Sequence, residues 1–214
     1  MTIDESTLTG SGRSSSAPAM LTLRAATPAD ITGLERLIAR SAEALSRGYY
    51  TAEQAAAAIA HVFGVDTQLV EDGSYFVVER DGAAIGCGGW SRRGTLFGAD
   101  ATAWREDDLL DPATDAARIR AMFVAPEAAR LGIGTLLLDA GIAAAARAGF
   151  SRLALMATLP GVPFYRRHGF IPGPEQRLML ADIEVPFVPM EREIVANRQQ
   201  HSLSRAPLQS LADE

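Results

Sequence analysis

The chain has 214 residues, 48% of them hydrophobic, and a formal charge of −6 from 20 arginines against 26 acidic residues, with no lysine anywhere. That length supports one domain with a real core, and the acidic balance excludes a typical nucleic-acid binder, which carries a basic face. No lysine means no Schiff-base nucleophile, one cysteine (Cys87) means no internal disulfide, and three scattered histidines give no metal-ligand pattern.

The first 20 residues, including Ser11-Gly12-Arg13-Ser14-Ser15-Ser16, are small and polar. They read as a disordered extension, or as an over-long start with Met20 the alternative initiator. They show no basic region followed by an apolar run, and no stretch of about 18 apolar residues occurs anywhere, so neither signal peptide nor membrane span is expected. A cytoplasmic protein is the expectation, and arginine and alanine in place of lysine point to a GC-rich bacterial genome.

Leu21-Thr22-Leu23-Arg24 reads as a strand, and Thr27-Pro28-Ala29-Asp30 as a helix start. Ile31, Leu34, Leu37, Ile38, Ser41, Ala42 and Leu45 then recur at helical spacing up to Gly48. Thr51 caps a second helix, Ala52 to Val62. Ser74 to Arg80 and Ala83 to Trp90 form a hairpin across Asp81-Gly82, with Cys87 as a small core residue of the return strand. Ser91 to Thr114 is a long polar connection containing Trp104, Glu106, Asp107, Asp108 and Asp111. Long connections are often functional. Its acids can attract an ammonium substrate, or it is simply a solvated acidic loop.

Arg118-Ile119-Arg120-Ala121-Met122-Phe123-Val124 reads as the central strand, ended by Pro126. Ala129-Arg130-Leu131-Gly132-Ile133-Gly134-Thr135 follows and leads into an alanine-rich helix. Such a helix start presents unpartnered backbone N–H groups at the positive end of the helix dipole, and its glycines admit close approach, so it suits a pyrophosphate. A P-loop needs a lysine, which the chain lacks, and a dinucleotide fingerprint needs a small residue where Leu137 stands. Ser151 to Thr158 is the next strand, and Gly161 to Gly169 contains a short helix. Pro172-Gly173-Pro174 breaks the chain. Gln176 to Leu180 and Val185 to Val195 are the last strands, expected to be irregular because of Pro186 and Pro189. The tail beyond is polar and aperiodic.

Arg130-Leu131-Gly132-Ile133-Gly134 resembles the acyl-CoA signature of the GNAT superfamily of N-acetyltransferases, written Arg/Gln-x-x-Gly-x-Gly/Ala, with Ala129 departing from the first position. Phe164-Tyr165-x-x-x-Gly169-Phe170 resembles that family's second hallmark. The two occur in the family's order, and the resemblance covers roughly Leu21 to Ile194. It implies an α/β (α+β) fold with a mixed, mostly antiparallel central sheet, helices on both faces, and fourth and fifth strands that splay apart. The corresponding division is a disordered extension over 1–20, a GNAT domain over 21–195 and a flexible tail over 196–214.

The resemblance further implies acetyl-CoA as acyl donor and an amine, small molecule or peptide, as acceptor. Backbone groups of Met122, Phe123 and Val124 would meet pantetheine. Arg130, Leu131, Gly132, Ile133, Gly134 and Thr135 would hold the pyrophosphate. Tyr165 would protonate the departing thiolate; its ordinary pKa of about 10 keeps it protonated at neutral pH, as an acid must be. The first two helices would border the acceptor pocket, with Tyr49 and Tyr50 at substrate or packed between helices. No motif marks a general base: Glu79, Asp115, Glu184 and a water chain all stand open. His168, beside Gly169, reads as a helix-terminal dipole partner, and His61 as structural. The alternative is a non-catalytic acyl-CoA-binding sensor or regulatory module of the same fold; a domain whose glycines serve only the helix start is a third reading. No nucleic-acid, membrane or metal partner is expected. The family's frequent dimers and the irregular last strands leave a homodimer open.

Overall fold

Alternation along the strands sorts side chains to the two faces of one sheet. The protein is described by a computed structural model over residues 21–100 and 108–195. The extension over 1–20, the tail over 196–214, and Trp104, Glu106 and Asp107 lie outside the described residues. The elements are β1 (Leu21–Ala25), α1 (Ile31–Ser46), α2 (Ala52–His61), α3 (Thr67–Glu71), β2 (Tyr75–Arg80), β3 (Ala83–Ser91), β4 (Ala117–Val124), α4 (Ile133–Arg147), β5 (Arg152–Thr158), α5 (Val162–Arg167), β6 (Ile171–Pro172), β7 (Gln176–Leu180) and β8 (Ile183–Glu193). They build an eight-stranded sheet in the order β1-β2-β3-β4-β5-β8-β6, with β7 also paired to β8. Of its pairings only β4–β5 is parallel.

β2 shows how the faces divide. Tyr75 and Val77 pack with Leu34, Leu37 and Ile38 of α1, while Phe76 and Val78 pack with Ile133 and Leu137 of α4. The helices thus cover both faces, as expected. The start of α1 is fixed by Asp30, whose Oδ2 accepts from the Thr27 N–H at 2.7 Å and the Thr27 hydroxyl at 2.8 Å. At α2, Thr51 Oγ1 accepts from the Gln54 N–H and Gln54 Oε1 accepts from the Thr51 N–H, each at 3.1 Å, a reciprocal cap.

Three elements differ from expectation. The five residues of α3 form a helix that no periodicity over so short a span can announce. Ile171–Pro172 pairs with Glu191 and Met190 where only a chain break was expected. And β8 runs unbroken from Ile183 to Glu193 despite two prolines. Its partners change along its length: β7 against its first half, β5 and β6 against its second. The Pro186 carbonyl accepts from the Tyr50 hydroxyl at 2.9 Å and the Pro189 carbonyl from the Gly173 N–H at 2.8 Å. A strand residue directs its N and its C=O to the same side. Both prolines therefore turn their missing N–H away from the ladder they sit in, and the strand stays regular.

Candidate active site

β4 is distorted at its centre. Cys87 pairs with Phe123 and Gly89 with Arg120, so two residues of β4, Ala121 and Met122, oppose Gly88 alone. Ala121 takes φ 51°, the left-handed region unusual for a residue with a Cβ. The bulge puts Arg120 and Ala121 on the α1 face in succession: Ile119 belongs with Leu138 on the α4 side, Ala121 and Phe123 with the α1 cluster, and Met122 and Val124 back on the α4 side. Two features hold it. The buried Tyr75 hydroxyl donates to the Ala121 carbonyl at 3.0 Å. Opposite, Gly88 has no side chain, and a Cβ there would lie 2.3 Å from Met122 Sδ.

Beside the bulge the sheet opens. β4 and β5 pair only at Ala117–Leu153 and Arg118–Ala154. Beyond that point lies a cavity of about 280 Å³, lined by Arg120 to Val124 on one side and Met156, Thr158, Phe164 and Tyr165 on the other. The splay is the one expected, and Met122, Phe123 and Val124 all border it.

One end of the cavity meets the glycine-rich turn. Pro126–Ala128 forms a short 3-10 turn, Arg130 takes φ 67° and Gly132 φ 81°, and α4 starts at Ile133. The first N–H to donate along the helix is that of Leu136, to the Gly132 carbonyl at 3.0 Å. The N–H groups of Gly132, Ile133, Gly134 and Thr135 have no partner among the described residues and sit at the positive end of a 15-residue helix. Gly134 lines the cavity, and a Cβ there would lie 3.3 Å from the Phe164 ring. The Arg130 side chain is exposed beside this turn. Arg130 to Thr135 are therefore together, as a cradle that fits a pyrophosphate in charge and in shape.

α5 forms the facing wall. The Phe164 and Tyr165 rings meet edge-on at 5.1 Å, and Tyr165 also contacts the buried Phe170 ring at 5.7 Å. Tyr165 is half-buried and borders the cavity. Burial alone pushes its phenol pKa well above the ordinary value, so it stays protonated. His168 lies 4.6 Å from the Phe164 ring centroid, with Nε2 3.3 Å from the Thr135 hydroxyl. It ties α5 to the start of α4 and is not among the cavity-lining residues.

The remaining wall comes from α1, the α2–α3 junction and the connection after β3: Ser41, Leu45, Val62, Phe63, Leu96 and Phe97. Arg120 holds that connection in place, donating to the Thr95 carbonyl at 2.9 Å, the Gly98 carbonyl at 2.6 Å and Asp66 Oδ2 at 2.7 Å. Asp66 and Arg120 are both buried. The connection does border the pocket, but with apolar residues. Asp108 and Asp111 do not line it; Asp111 caps the turn before β4, accepting from the Ala113 N–H at 2.9 Å.

The residues considered as bases also stand elsewhere. Glu79 is bound by Arg24 at 2.5 Å on the β1–β2 edge, Asp115 accepts from the Asp111 N–H at 2.7 Å, and Glu184 pairs with Arg177 at 3.2 Å. Tyr50 is a bolt. It donates to Pro186, accepts from the Leu159 N–H at 2.9 Å, and burial raises its pKa to about 12. Tyr49 is exposed, and Cys87 is fully buried with its thiol pushed up to about 12 by burial, as suits a core residue. The bulge-holding Tyr75 and the Arg120–Asp66 pair carried no sequence signal, since their partners lie 46 and 54 residues away along the chain.

A bulged central strand, a splay beside it and a glycine-rich helix start at its mouth define a class of acyltransferase. The family described as Acetyltransferase (GNAT) matches residues 37–170, and the chain belongs to that family. Its members are enzymes that take the acyl group from acetyl-CoA. Similar solved structures include a GCN5-related N-acetyltransferase from Rhodopseudomonas palustris, with 18% identity, a TM-score of 0.61, and 81% of this chain and 95% of that one covered. The PaiA N-acetyltransferase of Thermoplasma acidophilum, in complex with coenzyme A, has 14% identity, a TM-score of 0.56, and coverage of 82% and 99%. Ard1 of Thermoplasma volcanium has 19% identity, a TM-score of 0.55, and coverage of 82% and 98%. At these identities the likeness is one of fold. Compared with curated proteins, the chain matches none. Among the described residues no helix is long and apolar enough to cross a membrane.

Proposed function

We propose that residues 21–195 transfer the acetyl group of acetyl-CoA to an amine nitrogen by direct attack. The observation that carries this reading is the coincidence of the opened β4–β5 gap and the Tyr165 phenol in one cavity whose end, at Gly134, meets the unpartnered N–H groups of the Gly132–Thr135 helix start. The Arg130–Thr135 turn would hold the pyrophosphate through its backbone N–H groups, with the Arg130 guanidinium as a further anion partner. Backbone groups of Met122, Phe123 and Val124, unpaired on the β5 side, would take the pantetheine arm as an added strand takes its neighbour. A backbone N–H at the bulge would polarise the thioester carbonyl.

In the transfer the amine lone pair forms the new C–N bond as the C–S bond breaks. The electron pair leaves with sulfur, the Tyr165 O–H gives its proton to that sulfur, and the extra proton on nitrogen passes through water to restore the Tyr165 O–H. Burial matches the acid to its task. The wall that raises the phenol pKa keeps Tyr165 protonated until the thiolate forms, and it disfavours thiolate and phenolate alike, so the proton given to sulfur must be replaced from the substrate nitrogen for the site to end uncharged. The test is acceptor-dependent release of CoA. Release that needs both acetyl-CoA and an amine supports the reading. Saturable acetyl-CoA binding with no release against any amine points instead to a non-catalytic acyl-CoA sensor.

A further inference from the structure

The cavity's acceptor side is chemically one-sided. Among the described residues lining it there is no aspartate, glutamate or histidine. Among the described residues its titratable groups are Arg120, paired with buried Asp66, and Tyr165. From α1 it meets Leu45, from the α2–α3 junction Val62 and Phe63, from the connection after β3 Leu96 and Phe97, and from β8 Phe187. Phe97 and Phe187 stack at 6.2 Å, and Phe63 meets Phe187 edge-on at 6.5 Å. Such a wall offers an ammonium no counter-charge and lowers the pKa of any amine that enters it. One polar group stands out: the hydroxyl of Ser41, one of the α1 residues bordering the cavity, is buried and has no hydrogen-bond partner among the described residues.

We infer that the acceptor is a weakly basic amine carried on an apolar ring, an aromatic amine that enters uncharged, and not a polyamine or a charged peptide amine. The inference rests on the transferase reading of this cavity. Its logic is that a site whose described lining holds no carboxylate or imidazole to take a proton from an ammonium is served by an acceptor that arrives without that proton. Flat aromatic rings also match the Phe63, Phe97 and Phe187 surfaces.

The test uses two isomers of one formula, para-ethylaniline, neutral at pH 7, and phenethylamine, cationic at pH 7, with spermidine as a third probe. Binding to the CoA-loaded full chain is measured by calorimetry, and CoA release separately. The expected result is that para-ethylaniline binds at least about tenfold more tightly than phenethylamine at pH 7, a difference of about 1.4 kcal/mol, with spermidine weaker still. Release with para-ethylaniline stays flat between about pH 6 and 9, while kcat/KM for phenethylamine climbs about tenfold per pH unit toward the amine's own pKa.

Leu45→Asp, on the half-open rim of α1, places a carboxylate at the wall and narrows or reverses the preference. Equal or tighter binding of phenethylamine or spermidine at pH 7 overturns the inference. So does an acid limb shared by both isomers, which would reveal an enzyme base, or failure of para-ethylaniline to bind. Selective binding without any CoA release sinks acetyl transfer and leaves the selectivity of the cavity standing.

Discussion

Tyr165 and Tyr75 have opposite roles at the same strand gap. Tyr165 faces the cavity with a phenol held protonated by burial. In Tyr165→Phe, kcat falls by about 10²–10⁴-fold, the usual worth of a positioned acid, while acetyl-CoA still raises the melting temperature as in the parent. Unchanged turnover would remove Tyr165 from the mechanism. Tyr75 never reaches the substrate; it acts through the Ala121 carbonyl it binds at 3.0 Å. Tyr75→Phe strands that carbonyl and loosens the bulge. A stability loss of about 1–2 kcal/mol in urea denaturation is expected, with kcat lowered more than acetyl-CoA affinity. Tyr165's position at the cavity was legible because aromatic pair and terminating glycine lie within seven consecutive residues, Phe164 to Phe170. Tyr75 was not, because a buried tyrosine at a strand start reads like any other core aromatic until the fold brings Ala121 to it.

The glycine-rich turn and the edge ion network are properties of elements. Gly134→Ala puts a Cβ about 3.3 Å from the Phe164 ring, tighter than ordinary packing. The ring must shift at the cavity wall, so acetyl-CoA affinity drops several-fold while the fold survives. Gly132→Ala meets open space but keeps φ 81°, so its cost is conformational, about 1–2 kcal/mol. At the β1–α1 junction Arg24 donates to both oxygens of Asp30 at 2.8 Å and to Glu79. These bonds hold the Asp30 and Glu79 carboxyls below their usual values, and Arg93 does the same for Asp72. Groups with depressed folded pKa values contribute stability that is fully present above their unfolded values, near pH 4, and is lost as pH falls through the folded ones. Acid titration of the melting temperature should show a decline starting at about pH 4, and Arg24→Ala should flatten it. Capped, periodic elements such as α1 and α2 could be read in advance. α3 and β6 could not: five and two residues are too few for a period. The continuity of β8 depends on which side each proline turns toward, and that is set by strand partners elsewhere in the chain.

Across the whole molecule, the order of the longer elements was legible from periodicity and turn residues, and the mixed, mostly antiparallel sheet from the resemblance carried by two short motifs. The acceptor wall was not, because it is assembled from α1, the α2–α3 junction, the connection after β3 and β8. The described part of the long acidic connection turns apolar residues to the cavity and is anchored by Arg120, which bonds the Thr95 and Gly98 carbonyls and pairs with buried Asp66. Arg120→Ala leaves Asp66 buried without its guanidinium and is expected to cost about 3–5 kcal/mol, read as a lowered urea midpoint; Arg120→Met costs less only if Asp66 is changed to an uncharged residue with it. The most direct test of the acetyl-CoA site is thermal melting with acetyl-CoA, with NAD and ATP as controls. Saturation at about 100 times Kd stabilises by about 2.7 kcal/mol, a rise of about 5–10 °C for a chain of this size, and neither control should match it. No shift at saturating acetyl-CoA would contradict the assignment of the Arg130–Thr135 turn and, with it, acyl transfer by this chain.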